Sequence, residues 1–181
     1  MALVALKEAQ LAGAKVQPQV ITKGVASLNR NRGRGGFFYS DASNAPAKRK
    51  NRDLTDASAG RLPLCEVALR QWNATGDQQL ANAIRVSFEK QSHLFASLKY
   101  DDHTSRHDYG GFFFWFDLHG RSKAVQGLEN ADLRTRYQQE IRNLVMQLPE
   151  IDGCFVDSHE IGRCYGTAMA LLTLANSAPS P

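Results

Sequence analysis

Apolar positions divide the predicted helices of this chain into two kinds. Residues 2–12, 62–72 and 166–174 are apolar on nearly every side of a helix, whereas the helices between them carry a single apolar stripe. A helix without a polar face has to be surrounded by other helices, while a striped helix keeps one side towards solvent. The alternation therefore predicts an inner layer of buried helices and an outer layer of amphipathic ones.

Residues 112–116, Phe-Phe-Phe-Trp-Phe, form a further apolar block. A short apolar run is compatible with a buried strand as well as with a helix, and its place between two helical units favours the helix. Adjacent aromatic side chains would point to all sides of that helix, so we expect most of them in the core. Only one or two could line a cavity.

The apolar helices recur roughly every fifty to sixty residues, which is typical of a helical-hairpin repeat. We therefore expect an all-α protein that forms one domain over residues 1–181. Its predicted units are repeat one at 1–56, repeat two at 57–106, repeat three at 107–159, a final inner helix at 160–177 and a frayed tail at 178–181.

The composition limits the partners and the location of the protein. The formal net charge is +4, and much of it comes from a basic stretch within residues 30–52. Such a run is most often a solvated loop, and no nucleic-acid motif accompanies it, so we expect no nucleic-acid partner. No apolar stretch approaches the ~20 residues of a membrane span, and residues 1–13 lack the pattern of a signal peptide. These features predict a protein that is cytoplasmic or soluble, and the N-terminus looks truncated, so the targeting of the parent protein is not predicted.

Three segments carry a resemblance to a known repeat. Each contains a glycine turn that closes on an aromatic residue, or the inner helix that follows such a turn. The segments are Leu28 through Gly35-Gly36-Phe37-Phe38-Tyr39-Ser40, Gln147 through Asp152-Gly153-Cys154-Phe155, and Tyr165-Gly166-Thr167-Ala168 followed by Ala170 to Leu174. They resemble the repeats of the terpenoid cyclase and protein prenyltransferase α/α toroids, the squalene-cyclase-like group.

The resemblance implies a fold and a class of ligand. The fold would be an α/α toroid, here an incomplete ring of about three and a half hairpins that looks like the C-terminal portion of a longer protein. It would pack against the remainder of that toroid, or self-associate through exposed apolar helices. The central cavity could hold an apolar or isoprenoid-like ligand.

Catalysis by this chain alone is not expected. The family acid motif, Asp-x-Asp-Asp, has no match, and the pair Asp101-Asp102 is more typical of helix capping and loop solvation. Two alternatives stay open. One is a helical-repeat protein-interaction domain, and the other is an enzyme like the six-hairpin α/α-barrel glycosidases, which need two carboxylates across the cavity.

A metal site is only a weak alternative. Asp152, Cys154 and His159 offer the ligand types of a prenyltransferase zinc site, but they fall in the glycine turn instead of at the start of an inner helix. Three scattered cysteines form no disulfide framework. We therefore expect that folding needs neither metal nor disulfide, and we predict no cofactor.

The first turns of the inner helices suggest a ligand site. Alignment of Tyr109-Gly110 with Tyr165-Gly166, and of Gly60-Arg61 with Gly162-Arg163, places Arg61, His107 and Arg163 at equivalent positions on one rim. Cationic groups beside the positive ends of helix dipoles need compensation, either from nearby acidic residues or from a bound anion. An anion there would be the head group of a ligand whose hydrocarbon tail fills the cavity. The candidate ligand-binding residues are Arg61, His107, Asp108, Tyr109, Phe113, Arg163 and Tyr165.

Overall fold

A computed structural model describes residues 2–39, 51–95, 114–158 and 161–179 of the chain. In these residues the protein is mostly helical, with one small β-hairpin, so the all-α fold class is confirmed. The helices are α1 (Ala2–Leu11), α2 (Pro18–Arg30), α3 (Thr55–Ser58), α4 (Leu62–Arg70), α5 (Asp77–Glu89), α6 (Gln91–Phe95), α7 (Phe114–Gln126), α8 (Ala131–Val145) and α9 (Gly162–Asn176). The hairpin pairs β1 (Arg32–Gly33) with β2 (Gly36–Phe37) in antiparallel register.

Local sequence explains where several of these elements begin and end. Pro18 begins α2. Proline is tolerated there because the N–H groups of a first helical turn have no acceptor within the helix, so no hydrogen bond is lost. Asn130 caps α8, because its side chain accepts a hydrogen bond of 2.9 Å from the Leu133 N–H. Gly35 adopts a φ of 77° in the turn between β1 and β2, a conformation that favours glycine.

Two short helices lie beside longer ones. Helix α3 ends at Ser58 and is separate from α4, which begins at Leu62. Helix α5 ends at Glu89, and the short helix α6 begins at Gln91.

The helices predicted to be apolar pack on one another in chain order. Helix α1 contacts α4, α4 contacts α7, and α7 contacts α9. Gly60 lies against Asp117 and Gly120 lies against Leu64, so α4 and α7 run in the same direction. Each striped helix then packs on two successive members of this row: α2 on α1 and α4, α5 on α4 and α7, and α8 on α7 and α9. This packing order agrees with the two predicted layers.

Helix α9 corrects the expectation that an apolar helix is buried on every side. Leu171 and Leu172 are 59% and 51% exposed, and only Gly166, Ala170 and Thr173 are buried. Within the described residues α9 has extensive contacts only with α7 and α8. One apolar face of α9 is therefore open.

Candidate ligand groove

A groove of about 450 Å³ lies between α1, α2 and α4, with part of α7 at its wall. Its lining is mostly apolar and contains one charged side chain among the described residues, that of Arg61. We call this feature the Arg61 groove. It is lined by Ala2, Leu3, Gly24, Ser27, Leu28, Asn31, Phe38, Tyr39, Arg61, Leu64, Cys65, Ala68 and Phe116.

Arg61 directly precedes α4 and is held by the neighbouring backbone. Its guanidinium donates hydrogen bonds to the carbonyl oxygens of Ala57 and, at 2.7 Å, of Phe37. Its Cζ atom lies 5.8 Å from the ring centroid of Tyr39. These hydrogen bonds orient the guanidinium in the wall of the groove. The groove therefore has a fixed positive charge in its wall.

Cys65 lines the same groove without adding a reactive group. Burial raises the pKa of its thiol to about 11, although the charge of Arg61 acts in the opposite direction. The thiol is therefore protonated at neutral pH and acts as a small apolar side chain.

Asp117, on α7, lies beside Arg61. A Cβ atom added to Gly60 would come within 1.9 Å of Asp117 Oδ2, which shows how closely the carboxylate approaches the start of α4. Burial raises the pKa of Asp117 to about 7, while the charges of Arg61 and Arg121 lower it. Within the part of the chain that the structure describes, the carboxylate has no hydrogen bond and no ion pair.

A second acid, Asp157, is fully buried in the segment that leads to α9. Its Oδ2 accepts a hydrogen bond of 3.2 Å from the Trp115 N–H, and its Oδ1 has no partner among the described residues. Burial raises the pKa of Asp157 to about 7, although hydrogen bonds from the Trp115 and Phe114 N–H groups oppose this shift. Because it is fully buried, the Asp157 carboxylate cannot work as the second, accessible acid of a glycosidase.

Arg121, on α7, places a positive charge in the protein interior. It is 1% exposed, and its guanidinium donates to Gln91 Oε1 and lies over the Phe88 ring at 4.9 Å. Burial lowers its pKa to about 10, and the negative charge of Asp117 acts against this shift. Even so, Arg121 is cationic at neutral pH.

The structure gives different environments to the predicted site residues. Arg61 lines the groove, whereas Arg163 is exposed and forms an ion pair with Asp152. Arg163 therefore has an acidic partner within the chain, Asp152. Tyr165 lies near Asp117 and Asp157, which we call the acidic cluster. Burial, followed by the charges of Asp157 and Asp117, raises the pKa of Tyr165 to about 12. The remaining candidates, His107, Asp108, Tyr109 and Phe113, lie outside the described residues.

Sequence reasoning missed Asp117 and Asp157. Asp117 stands four residues before Arg121 on the same helix, and that spacing was a usable signal of a pair on one helix face. Asp157 had no comparable signal, because its hydrogen bond to the Trp115 N–H joins residues 42 positions apart.

The structure gives the weak metal alternative no support. Asp152 accepts a hydrogen bond from the Cys154 N–H at 3.1 Å and pairs with Arg163, while His159 lies outside the described residues. No group of three potential metal ligands occurs in the described ranges. Cys65, Cys154 and Cys164 are free thiols.

Among the described helices, none is both long and apolar enough to cross a membrane. Comparison of the chain with protein-family models, with curated proteins and with solved structures finds no match.

Proposed function

We propose that this chain is a squalene-cyclase- and prenyltransferase-like α/α-toroid domain that binds an apolar ligand with an anionic head group in the Arg61 groove. The packing order of α1, α4, α7 and α9, with a striped helix behind each neighbouring pair, supports the toroid. The observation that carries the ligand class is a mostly apolar groove whose described lining contains one charged group, the guanidinium of Arg61.

The groove suits such a ligand in size and in chemistry. Its volume falls within the range of small-molecule sites, which combine apolar walls with a few polar groups that fix the orientation of the ligand. The tail would contact Leu3, Leu28 and Leu64, and the head group would approach Arg61. A guanidinium in a fixed position favours carboxylate, sulfonate or phosphate groups, because it can donate two hydrogen bonds to one anion.

We propose that the groove binds its ligand and does not catalyse a reaction of it. In the described lining the nucleophile candidates are Ser27 and Cys65, and neither has a histidine or carboxylate beside it in the groove. The Cys65 thiol is protonated at neutral pH. Activation of either group would require an adjacent base.

Titration calorimetry with decyl sulfonate and with decanol tests this function. The sulfonate should bind more tightly than the alcohol, because only the sulfonate carries a charge for Arg61. Arg61→Met should weaken sulfonate binding by about tenfold or more while changing decanol binding little. Arg163→Met is the matched control, because Arg163 carries the same charge outside the groove and should leave both affinities unchanged.

Arg61→Met also removes two hydrogen bonds to the backbone, so its melting temperature must be measured beside its affinity. Arg61→Lys retains the charge and should recover part of the sulfonate binding. No binding to the parent protein, or an equal loss in Arg61→Met and Arg163→Met, would refute the proposal.

A second candidate is a helical-repeat protein-interaction domain. The observation in its favour is the open apolar face of α9, where Leu171 and Leu172 are about half exposed. A partner that covers these side chains would remove apolar surface from water at about 25 cal/mol per Å².

A further inference from the structure

A second pocket, of about 220 Å³, lies between the β-hairpin, the start of α3 and helices α4 and α5. It shares no described lining residue with the Arg61 groove. Its lining combines an ion pair, formed by Arg32 and Glu66, with two side-chain amides and several apolar side chains. We call this feature the Glu66 pocket.

The ion pair is a fixed part of the pocket wall. Glu66, on α4, is 3% exposed, and the guanidinium of Arg32, on β1, donates hydrogen bonds to both of its carboxylate oxygens, one of them at 2.9 Å. The Arg32 Cζ atom also lies 4.6 Å from the ring centroid of Phe37. A buried carboxylate is tolerated only with such a partner, because an unpaired buried charge is costly. The two charges therefore cancel, and the fold itself holds the pair in place.

The pair retains hydrogen-bonding capacity for a ligand. A guanidinium has five N–H donors, of which Arg32 uses two on Glu66, and each carboxylate oxygen can accept a second hydrogen bond. Of the Arg32 side chain, 37% is exposed. Hydrogen-bond donors and acceptors therefore lie side by side in the lining of the pocket.

Helix α5 supplies the amides and part of the apolar lining. Gln79 and Asn82 are three residues apart and so lie on one face of the helix. The Asn82 Oδ1 atom accepts a hydrogen bond of 2.7 Å from Arg85, which leaves the Asn82 NH2 group as a donor. Ala83 and Val86 add apolar surface from the same helix. The lining is therefore polar and apolar at once, with no net charge among its described residues.

We propose that the Glu66 pocket binds a small uncharged molecule through a planar carboxamide group. A carboxamide places an N–H donor beside a carbonyl acceptor, which matches the Glu66 carboxylate and the Arg32 guanidinium. The pocket is smaller than the roughly 300–1,000 Å³ of drug-sized sites, so we expect a ligand of about one ring with its amide. This inference does not rest on the proposed function.

The ion pair also selects against charged ligands of the same shape. A carboxylate would gain from Arg32 but would be repelled by Glu66, and an amidinium would be repelled by Arg32. Both would lose hydration on entering the pocket. The neutral carboxamide avoids these costs and still makes both kinds of hydrogen bond.

The experiment is an NMR titration of the ¹⁵N-labelled protein with benzamide, benzoate and benzamidinium. These three planar probes have the same shape and differ in charge and in hydrogen-bonding groups. Benzamide should bind most tightly, and it should cause saturable shifts of the side-chain NH2 signals of Gln79 and Asn82, which line the pocket.

Three alanine variants on α5 locate the binding. Gln79→Ala and Asn82→Ala should each weaken benzamide binding by about two- to tenfold, the loss expected for one hydrogen bond. Gln78→Ala is the matched control, because Gln78 is also exposed on α5 but does not line the pocket. All three variants should fold, since the replaced side chains are exposed and alanine is favourable in a helix.

The absence of saturable shifts with benzamide would overturn the inference. So would binding of benzoate or benzamidinium as tight as that of benzamide, unchanged benzamide affinity in both Gln79→Ala and Asn82→Ala, or an equal loss in Gln78→Ala. None of these results depends on decyl sulfonate or on the Arg61 groove, so failure of this inference leaves the proposed function intact.

Discussion

Helices α7 and α9 differ in a way that their compositions do not suggest. Helix α7 contains charged and polar residues along its length, yet His119, Arg121 and Ser122 are all buried. Helix α9 is the more apolar of the two, yet Leu171 and Leu172 are about half exposed. In this protein, position in the row of helices determines burial more than composition does.

The number of neighbours explains the difference. Helix α7 contacts α4, α5, α8 and α9, whereas α9 contacts mainly α7 and α8 within the described residues. The neighbours also make the buried polar groups tolerable. Asn176, at the end of α9, donates to Ser122 Oγ at 3.1 Å and lies 3.3 Å from His119 Nδ1. Buried polar atoms with such partners cost much less than isolated ones.

The largest effect is expected from truncation of one leucine on each helix. Leu118→Ala on α7 should lower the free energy of unfolding by about 2–5 kcal/mol, because Leu118 is buried in the main core cluster and its removal leaves a cavity. Leu172→Ala on α9 should change it by about 0.5 kcal/mol or less, because about half of the residue is already in solvent.

Denaturant unfolding of both variants and the parent measures this difference. Similar losses in the two variants would show that the open face of α9 is covered in solution. Sedimentation velocity on the same samples would then show whether a second copy covers it.

The acidic cluster beside α7 should make stability depend on pH, and Asp157→Asn tests this. The pKa of Asp157 is raised in the folded state to about 7, so its contribution to stability is full below about pH 4 and is lost as pH rises through about 7. The parent should therefore lose unfolding free energy in this range, by at most about 1.4 kcal/mol per pH unit for one carboxylate. The variant should show a smaller slope.

The control for this prediction is Asp152→Asn. Asp152 is exposed, and the hydrogen bond from the Cys154 N–H and the charge of Arg163 hold its pKa below the usual range. Its substitution should leave the slope between about pH 5 and about pH 8 unchanged. Equal slopes in the parent and in Asp157→Asn would contradict the assignment of a buried, ionisable Asp157.

The smallest effect on stability is expected from Leu171→Gln combined with Leu172→Gln. Both side chains lie on the open face of α9, so the folded monomer should keep its unfolding free energy to within about 0.5 kcal/mol. Self-association at high concentration and binding of a hydrophobic dye should both decrease. If sedimentation and dye fluorescence match those of the parent, the face is not an association surface.

The helical pattern of this chain could be predicted from sequence because it depends on local periodicity. The apolar stripe of α8 and the proline that opens α2 are both visible in short windows. The exposure of Leu171 was not predictable in this way, since it depends on whether another helix lies beside α9. A sequence pattern reports what a helix could bury, while its neighbours determine what it does bury.

The candidate site was predictable only in part, for the same reason. Arg61 was identified from its place at the start of an inner helix, and the structure puts it in the lining of a groove. Arg163 holds the equivalent place, but its partner Asp152 lies in a turn whose path the sequence did not reveal. Asp117 and Asp157 become neighbours only when α4, α7 and α9 are packed together.

In the proposed function, an anion with an apolar tail enters the Arg61 groove and does not bind to the open face of α9. Methyl NMR of the leucine-labelled protein during titration with decyl sulfonate tests it directly. We expect saturable shifts of the methyl signals of Leu3, Leu28 and Leu64, which line the groove, and unchanged signals of Leu171 and Leu172. Shifts confined to Leu171 and Leu172 would contradict it.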